Sequence, residues 1–340
     1  MSRSVGVAAP FRPCLNPATL SGVDLPDFLA LAAAGGFTAV ELSIQQVQAL
    51  GAARVRDLLA EHGLTVAAAS GILPAGPVLP APLLVDSAAY DEHLRTLPTR
   101  LTTFAALGCP VATTVLNPYS SLRQSESLAL ARTRIAQLAD TAADYGVRLA
   151  VEAVSITDGL PPELDGPHPV AVTLPAVAEL LHDSGTANAA VLVDSFHWAV
   201  AGADPGHITA LGTGGVGHVQ IADVPHTGTA RGWTDGLRLF PGDGALRWSV
   251  FADALHRVGY HGPASVELFN PVLRALPEDE IAARSHRAAT GCWPPGRQPD
   301  DPADQAVAAG RRRLRRRRVR SPPPAAHRPP RLRSDGAGRP

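Results

Sequence analysis

Short apolar runs alternate with longer amphipathic segments from the start of the chain to about residue 290. Eight runs are rich in β-branched and small apolar residues and have the length of a buried strand: FRPCLN (11–16), TAVEL (38–42), TVAAAS (65–70), PVATTVL (110–116), VRLAVEA (147–153), AVLVD (190–194), GHVQIAD (217–223) and PASVEL (263–268). Between them, apolar residues recur at helical spacing near 24–35, 51–62, 86–107, 125–145, 173–184, 204–211, 248–259 and 277–289. This alternation predicts an α/β protein with a parallel sheet covered by helices.

Glycines mark the ends of five predicted helices just before the next strand, in GGF (35–37), HGL (62–64), LGC (107–109), YGV (145–147) and VGY (258–260). Glycine is common just past a helix C-terminus, so the repeated helix, glycine, strand unit supports these boundaries. Eight such units close into a (β/α)₈ TIM barrel, which we favour over an open doubly wound sheet. No glycine-rich dinucleotide-binding fingerprint follows the first strand, and this further weakens a Rossmann interpretation.

The composition changes near residue 291. Residues 291–340 are rich in Arg, Pro, Ala and Gly, and RRRLRRRRVR (311–320) holds eight Arg in ten residues. Such a segment has no apolar periodicity from which to build a core, so we predict a TIM-barrel domain over 1–290 and a disordered Arg/Pro-rich tail over 291–340. The formal charge of the chain is −1, but residues 1–290 carry seventeen Arg against twenty-seven acidic residues. An acidic barrel binds nucleic-acid phosphates poorly.

Cysteine usage and hydropathy lead us to expect a soluble cytoplasmic protein. The three cysteines, Cys14, Cys109 and Cys292, are an odd number without CxxC spacing, which favours a reducing compartment. The N-terminus lacks the basic start and apolar core of a signal peptide. No apolar run reaches about 18 residues, so we expect no membrane span. The oligomeric state is left open, and a homo-oligomer is one expectation.

Four successive predicted strands end in a side chain with an oxygen donor: Glu152, Asp194, Gln220 and Glu267. Parallel barrel strands deliver such residues to one mouth. One acidic residue at a strand end is more often a helix cap or an ion-pair partner, so the prediction depends on all four together. Charges that point into a barrel mouth need a compensating cation or hydrogen bonds. Three carboxylates and an amide oxygen favour Mg²⁺ or Mn²⁺, with Co²⁺ as a further candidate.

The motifs around these residues resemble those of the xylose-isomerase-like sugar isomerases and epimerases, over residues 10–290. VLVDSFHW (191–198), RLFPGDGALRW (238–248) and ASVELFNP (264–271) are similar to inosose isomerases of inositol catabolism. GHVQIADVP (217–225) instead resembles hydroxypyruvate isomerases, in which the ligand on strand seven is Gln rather than the His of most relatives. The resemblance therefore implies a small inosose-like, ketose or hydroxypyruvate-like substrate and a divalent metal.

The resemblance also implies a mechanism and roles for named residues. Glu152 and Glu267 match the acid/base pair of the family, in which one glutamate removes a proton next to the carbonyl and the other returns it. His197 and Arg238 match residues that contact substrate oxygens, and Arg231 is a rival for the arginine role. His218 is either a substrate hydrogen-bonding residue or a packed histidine below the site.

Three segments on the mouth side of the barrel are expected to shape the site. Residues 71–85 and 155–172 are Pro-rich candidate substrate walls, and residues 223–244 are a candidate lid. Glu41 closes the second strand, and we expect it to be structural and to lie across the barrel from the other carboxylates. No phosphate-binding Gly-rich loop is evident, which favours an unphosphorylated substrate.

Two other functions compete with the isomerase. A dehydratase acting on a keto-inositol or on dehydroshikimate would use the same metal and proton abstraction, with His197, His218 or Asp158 as the acid. A nucleic-acid-associated protein would use the Arg-rich tail, although the acidic barrel makes nucleic acid an unlikely partner. Ser70 and Asn117 stand where the related abasic-site endonucleases have zinc-binding histidines, which argues against a trinuclear zinc nuclease.

Overall fold

Eight parallel strands close into a barrel in the structure, a computed structural model that describes residues 11–74 and 81–293. In chain order the strands are β1 (Pro13–Leu15), β2 (Ala39–Ser43), β3 (Thr65–Ser70), β4 (Val111–Leu116), β5 (Arg148–Ala153), β6 (Ala189–Asp194), β7 (Val216–Ile221) and β8 (Ala264–Val266). Each strand pairs with its neighbours along the chain, and β1 pairs with β8 to close the barrel. The predicted TIM barrel is confirmed, and the open sheet is excluded.

Helices surround the barrel and connect the strands. They are α1 (Leu25–Ala34), α2 (Ile44–Leu50), α3 (Ala52–Glu61), α4 (Ser87–Ala106), α5 (Gln124–Ala143), α6 (Leu174–Ser184), α7 (Ser195–Val200), α8 (Pro205–Thr209), α9 (Trp248–Arg257) and α10 (Glu278–Gly291). Short 3₁₀ turns occur at Pro17–Leu20, Ala230–Gly232, Asp235–Leu237 and Leu273–Ala275. Every predicted strand and helix is present, with ends that differ by a few residues.

Three features escaped the sequence-based prediction. α2 and α7 are short helices that begin directly at the ends of β2 and β6. A two-stranded antiparallel sheet joins Tyr119–Ser120 to His168–Pro169. It ties the segment that follows β5 to the segment that follows β4. These additions all lie at the carboxyl ends of barrel strands, where active sites of this fold are built.

The local sequence explains where the helices end and which face they bury. Gly63 and Gly146, two of the predicted stops, have φ of 65° and 69°, a left-handed conformation that glycine adopts without steric cost. α1 buries Leu25, Phe28 and Leu29 in the hydrophobic core, a spacing that places them on one helical face. Each such side chain contributes about 1.5–3 kcal/mol by leaving water.

No helix among the described residues is both long and apolar enough to span a membrane. The predicted disordered tail lies almost entirely outside the described residues, as does the middle of the predicted wall at 71–85.

Candidate active site

A cavity of about 380 Å³ opens at the carboxyl ends of the barrel strands. The predicted donors Glu152, Gln220 and Glu267 line it, together with His197 and Arg238. Its size suits a small molecule. Five residues predicted on separate strands and loops are therefore brought to one place.

The strand register explains why these side chains converge. Asp194 pairs with Gln220 between β6 and β7, and Glu267 directly follows β8. A register shift between Val191 and Leu192 precedes Asp194 on β6, and such irregularities re-aim side chains near active sites. Neighbouring strands therefore present their polar ends side by side.

The two carboxylate oxygens of Asp194 have different partners. One carboxylate oxygen, Oδ1, accepts hydrogen bonds from the backbone N–H groups of Phe196 (2.6 Å) and His197 (3.0 Å) at the start of α7. The other oxygen, Oδ2, lies 2.6 Å from Nη1 of Arg238. The side chain is fully buried and does not line the cavity, because the guanidinium lies against it. Asp194 thus fixes both His197 and Arg238.

Arg238 is the permanently charged cation among the described residues of the site. Its Nε donates to Oδ1 of Asp235 at 2.7 Å, and its Nη1 lies 3.4 Å from Oε2 of Glu267. Burial lowers the pKa of Arg238, but Asp194 and Asp235 more than offset that effect, so the group stays ionised. Arg231, the rival, is exposed and does not line the cavity. Sequence reasoning missed Asp235, which sits in the candidate lid three residues before Arg238.

His197 has polar neighbours at both ring nitrogens. Its Nδ1 lies 3.4 Å from the backbone N–H of Ser155. Its Nε2 lies 3.6 Å from Oε1 of Glu152 and 3.2 Å from Nη2 of Arg238. Burial lowers the pKa of His197 despite the nearby acids. The ring is therefore neutral and lies at the cavity wall.

Glu152 and Glu267 are both buried in a cluster with too little positive charge. Burial, reinforced by the Asp194 carboxylate, raises the pKa of Glu152 to about 8. Burial also raises the pKa of Glu267 well above its ordinary value, although Arg238 opposes the shift. Asn16, at the end of β1, donates a hydrogen bond to Oε1 of Glu267 at 3.0 Å. Two glutamates with raised pKa values can hold a proton and so act as an acid and a base.

Gln220 connects the site to Glu41. Its amide nitrogen lies 3.3 Å from Oε1 of Glu41 and 3.3 Å from Oε1 of Glu267. Glu41 therefore reaches the site, contrary to the expectation that it lies away from the other carboxylates. Its pKa is raised by burial, but His218, whose Nε2 is 3.0 Å away, brings it below the ordinary value. His218 is buried and does not line the cavity.

The donor set suits a divalent cation. Within the described residues, Glu152, Asp194 and His197 offer ligand atoms that all lie within 4.8 Å of one another. The amide oxygen of Gln220 is buried and accepts no hydrogen bond from the described part of the chain, a costly state unless another partner binds it. The positive charge of Arg238 alone also does not balance the negative charge of the buried carboxylates. His197, predicted to bind substrate, is thus a further candidate ligand.

A comparison with protein families identifies the family of this chain. Residues 29–292 match the model of the xylose isomerase-like TIM barrel. The chain belongs to this family. The resemblance noted in the sequence is therefore confirmed over most of the barrel.

Relatives in the family carry different activities. A 3-dehydroshikimate dehydratase from Pseudomonas aeruginosa is 31% identical over 150 residues, which are 44% of this chain and 22% of that protein. An inosose isomerase from Halalkalibacterium halodurans is 26% identical over 200 residues, which are 57% of this chain and 66% of that protein. The chain thus matches about a fifth of the dehydratase and just under two thirds of the isomerase.

A solved structure shares the whole barrel. The xylose isomerase domain protein from Alicyclobacillus acidocaldarius has a TM-score of 0.71 and 25% sequence identity, over 82% of this chain and 99% of that chain. The family membership and the common barrel support an enzyme of small-molecule chemistry.

The walls of the cavity come from the predicted segments. Pro82 represents the first segment, Pro161, Glu163 and Leu164 the second, and Asp235 and Arg238 the candidate lid. By contrast, Asp158, a candidate acid of the dehydratase hypothesis, is exposed and does not line the cavity.

Proposed function

We propose that this protein is a divalent-metal-dependent isomerase or epimerase that moves a proton next to the carbonyl of a small polyol-derived ketone. The observation that supports this proposal most strongly is the convergence of Glu152, Gln220 and Glu267, with Asp194 behind Arg238, on one cavity. The unpartnered amide oxygen of Gln220 supports a metal at the same place.

The two glutamates are the proposed acid and base. Glu152 is on β5 and Glu267 follows β8, with β6 and β7 between them in the barrel. They therefore approach a bound ketone from different sides, so one can remove the proton and the other can return it. A divalent cation held by Glu152, Asp194, Gln220 and Glu267 would polarise the substrate carbonyl and acidify the neighbouring carbon–hydrogen bond.

Neighbouring residues would orient the substrate. His197 lines the cavity with its Nε2 near Glu152, and its ring can form a hydrogen bond with a substrate oxygen. Arg238 holds its remaining donors beside that position while Asp194 and Asp235 fix the guanidinium. Apolar walls from Pro82, Leu164 and other residues limit the access of water.

The charge of the cavity favours an uncharged substrate. Five acidic side chains line it, whereas Arg238 is the one permanently cationic side chain among the described lining residues: Glu41, Glu152, Glu163, Asp235 and Glu267 are the acids. Arg238 is already in contact with three carboxylates. With a divalent cation bound and the five lining acids ionised, the lining would keep a net charge of about −2, so a substrate carboxylate or phosphate would meet excess negative charge. An inosose or a ketose fits this cavity better than hydroxypyruvate or a sugar phosphate.

A substrate panel tests the proposal. Mn²⁺-loaded protein would be incubated with inososes, ketohexoses, hydroxypyruvate and 3-dehydroshikimate, and the products separated by chromatography. We expect an isomer of an uncharged ketone, formed only with the metal present. Conversion of hydroxypyruvate alone would contradict the charge argument, and equal turnover in a chelator would contradict the metal site.

A dehydratase is the second candidate, because the Pseudomonas aeruginosa relative that is 31% identical carries that name. Elimination begins with the same proton abstraction and then needs an acid at the leaving hydroxyl. Glu152, whose pKa burial raises to about 8, can supply it when Glu267 acts as the base. Loss of water would create a double bond conjugated to the carbonyl, so a new ultraviolet absorbance in the same panel would favour this activity.

A further inference from the structure

The two ends of the Gln220 amide have unlike surroundings. The nitrogen lies 3.3 Å and 3.4 Å from the two carboxylate oxygens of Glu41, and 3.3 Å from Oε1 of Glu267. The oxygen is buried and without a hydrogen-bond partner in residues 11–74 and 81–293. An amide has donors at one end only, so the two carboxylates hold the nitrogen end.

Glu41 is held in turn by the strand that carries Gln220. A register shift between Val40 and Glu41 on β2 interrupts the pairing with β3 immediately before the glutamate, and such shifts re-aim the following side chain. Nε2 of His218 lies 3.0 Å from Oε1 of Glu41, and both side chains are at most 3% exposed. His218 is two residues before Gln220 on β7, so both point to the same face of the strand.

We propose that Glu41 is a positioning residue, anchored by His218, that orients the Gln220 amide so that its oxygen rather than its nitrogen is presented to a divalent cation. If the amide turned over, its oxygen would face the carboxylates of Glu41 and Glu267, and its NH₂ group would face the cation. Both contacts would be repulsive. This inference rests on the proposed metal site, and it assigns that site a residue outside the four ligands.

The role predicts a result that depends on the residue at position 220. A carboxylate at this position has two equivalent oxygens and no orientation to fix. Mn²⁺ affinity would be measured by electron paramagnetic resonance for the wild type, Glu41→Gln, Gln220→Glu and the double variant. We expect Glu41→Gln to weaken Mn²⁺ binding roughly 10- to 100-fold beside Gln220, the usual effect of losing a group that orients a ligand. In the Gln220→Glu background, we expect Glu41→Gln to change the Mn²⁺ affinity by less than about threefold or to increase it.

Two outcomes would overturn the proposal. An unchanged affinity in Glu41→Gln would show that the amide is oriented without Glu41. Equal losses in both backgrounds would show a general structural role instead. If Glu41→Gln does not fold by circular dichroism, Glu41→Asp replaces it, because it withdraws the same carboxylate by one methylene. A wild type that binds no Mn²⁺ would refute the metal site itself, whereas binding without dependence on Glu41 would refute only this inference.

Discussion

Arg238 is the guanidinium that pairs with the buried carboxylates at the mouth of the barrel. Its guanidinium is about 1% exposed and contacts Asp194 at 2.6 Å, Asp235 at 2.7 Å and Glu267 at 3.4 Å. Charges this deeply buried are tolerated only when they are paired. Removing the arginine leaves carboxylates that must either take up protons or remain unpaired.

We therefore expect Arg238→Met to destabilise the metal-free protein by about 3 kcal/mol, as is usual when one partner of a buried ion pair is lost. Urea unfolding in the presence of a chelator measures the free energy. Arg247→Met is the matched control, because Arg247 is exposed, and it should change stability by less than about 0.5 kcal/mol. Equal effects of the two substitutions would contradict the assigned role of Arg238.

At the residue scale, sequence reasoning identified strand-end donors better than their partners. Glu152, Asp194 and Glu267 were predictable because each closes an apolar run of regular spacing. The contact between Glu41 and Gln220 was not, since it joins residues 179 positions apart across the interior of the barrel. Asp235 was missed because it lies in a loop, where no periodicity indicates the direction of a side chain.

The segment beside Pro82 in the cavity wall is held in place by hydrogen bonds from a helix and from a neighbouring strand. Nη1 of Arg134, on α5, donates to the carbonyl oxygens of Leu83 at 2.8 Å and Val85 at 2.6 Å. The backbone N–H of Leu83 in turn donates to Val115 on β4 at 2.8 Å. These bonds fix residues 82–85, beside the cavity-lining Pro82.

We expect Arg134→Met to loosen this segment. Amide hydrogen exchange at Leu83 and Leu84 should become roughly tenfold faster, which corresponds to about 1.4 kcal/mol of local opening. Mass spectrometry of peptides covering 81–86 measures the change. Arg132→Met, which removes a half-exposed ion pair with Asp183 from the same helix, should leave these peptides unaffected. Unchanged exchange in Arg134→Met would refute the anchoring role.

At the element scale, the barrel was predictable because strand and helix periods alternate eight times and glycines mark helix ends. α2 and α7 escaped prediction because they begin directly at β2 and β6, so no loop residues separate the two periods. α7 also depends on Asp194, whose side chain caps its first N–H groups. A residue predicted as a metal ligand thus helps to form the adjoining helix.

The barrel is complete within the described residues. α10 packs against α1 and β1, and the buried Trp293 contacts the rings of Phe11 and Trp248, with centroids 4.8 Å and 5.3 Å apart. All of these contacts are made by residues up to Trp293. The Arg-rich segment that follows it lies outside the described residues.

We expect a chain that ends at Pro295 to retain the thermal stability of the barrel, with a change in Tm below about 2 °C, and its full ketone turnover. Differential scanning calorimetry and the product assay measure the two properties. Loss of turnover would assign the tail a part in the reaction. Salt-sensitive binding of nucleic acid by the full chain, absent after truncation, would instead support the competing nucleic-acid function.

The most direct test of the account is the source of the transferred hydrogen. The Mn²⁺-loaded protein would convert an inosose in D₂O while NMR follows the carbon next to the carbonyl. Proton transfer through Glu152 and Glu267 predicts deuterium at that carbon, at a rate about 10²- to 10⁴-fold lower in Glu267→Gln and unchanged in Glu179→Gln, an exposed residue on α6. Product without solvent deuterium, or undiminished exchange in Glu267→Gln, would contradict the account.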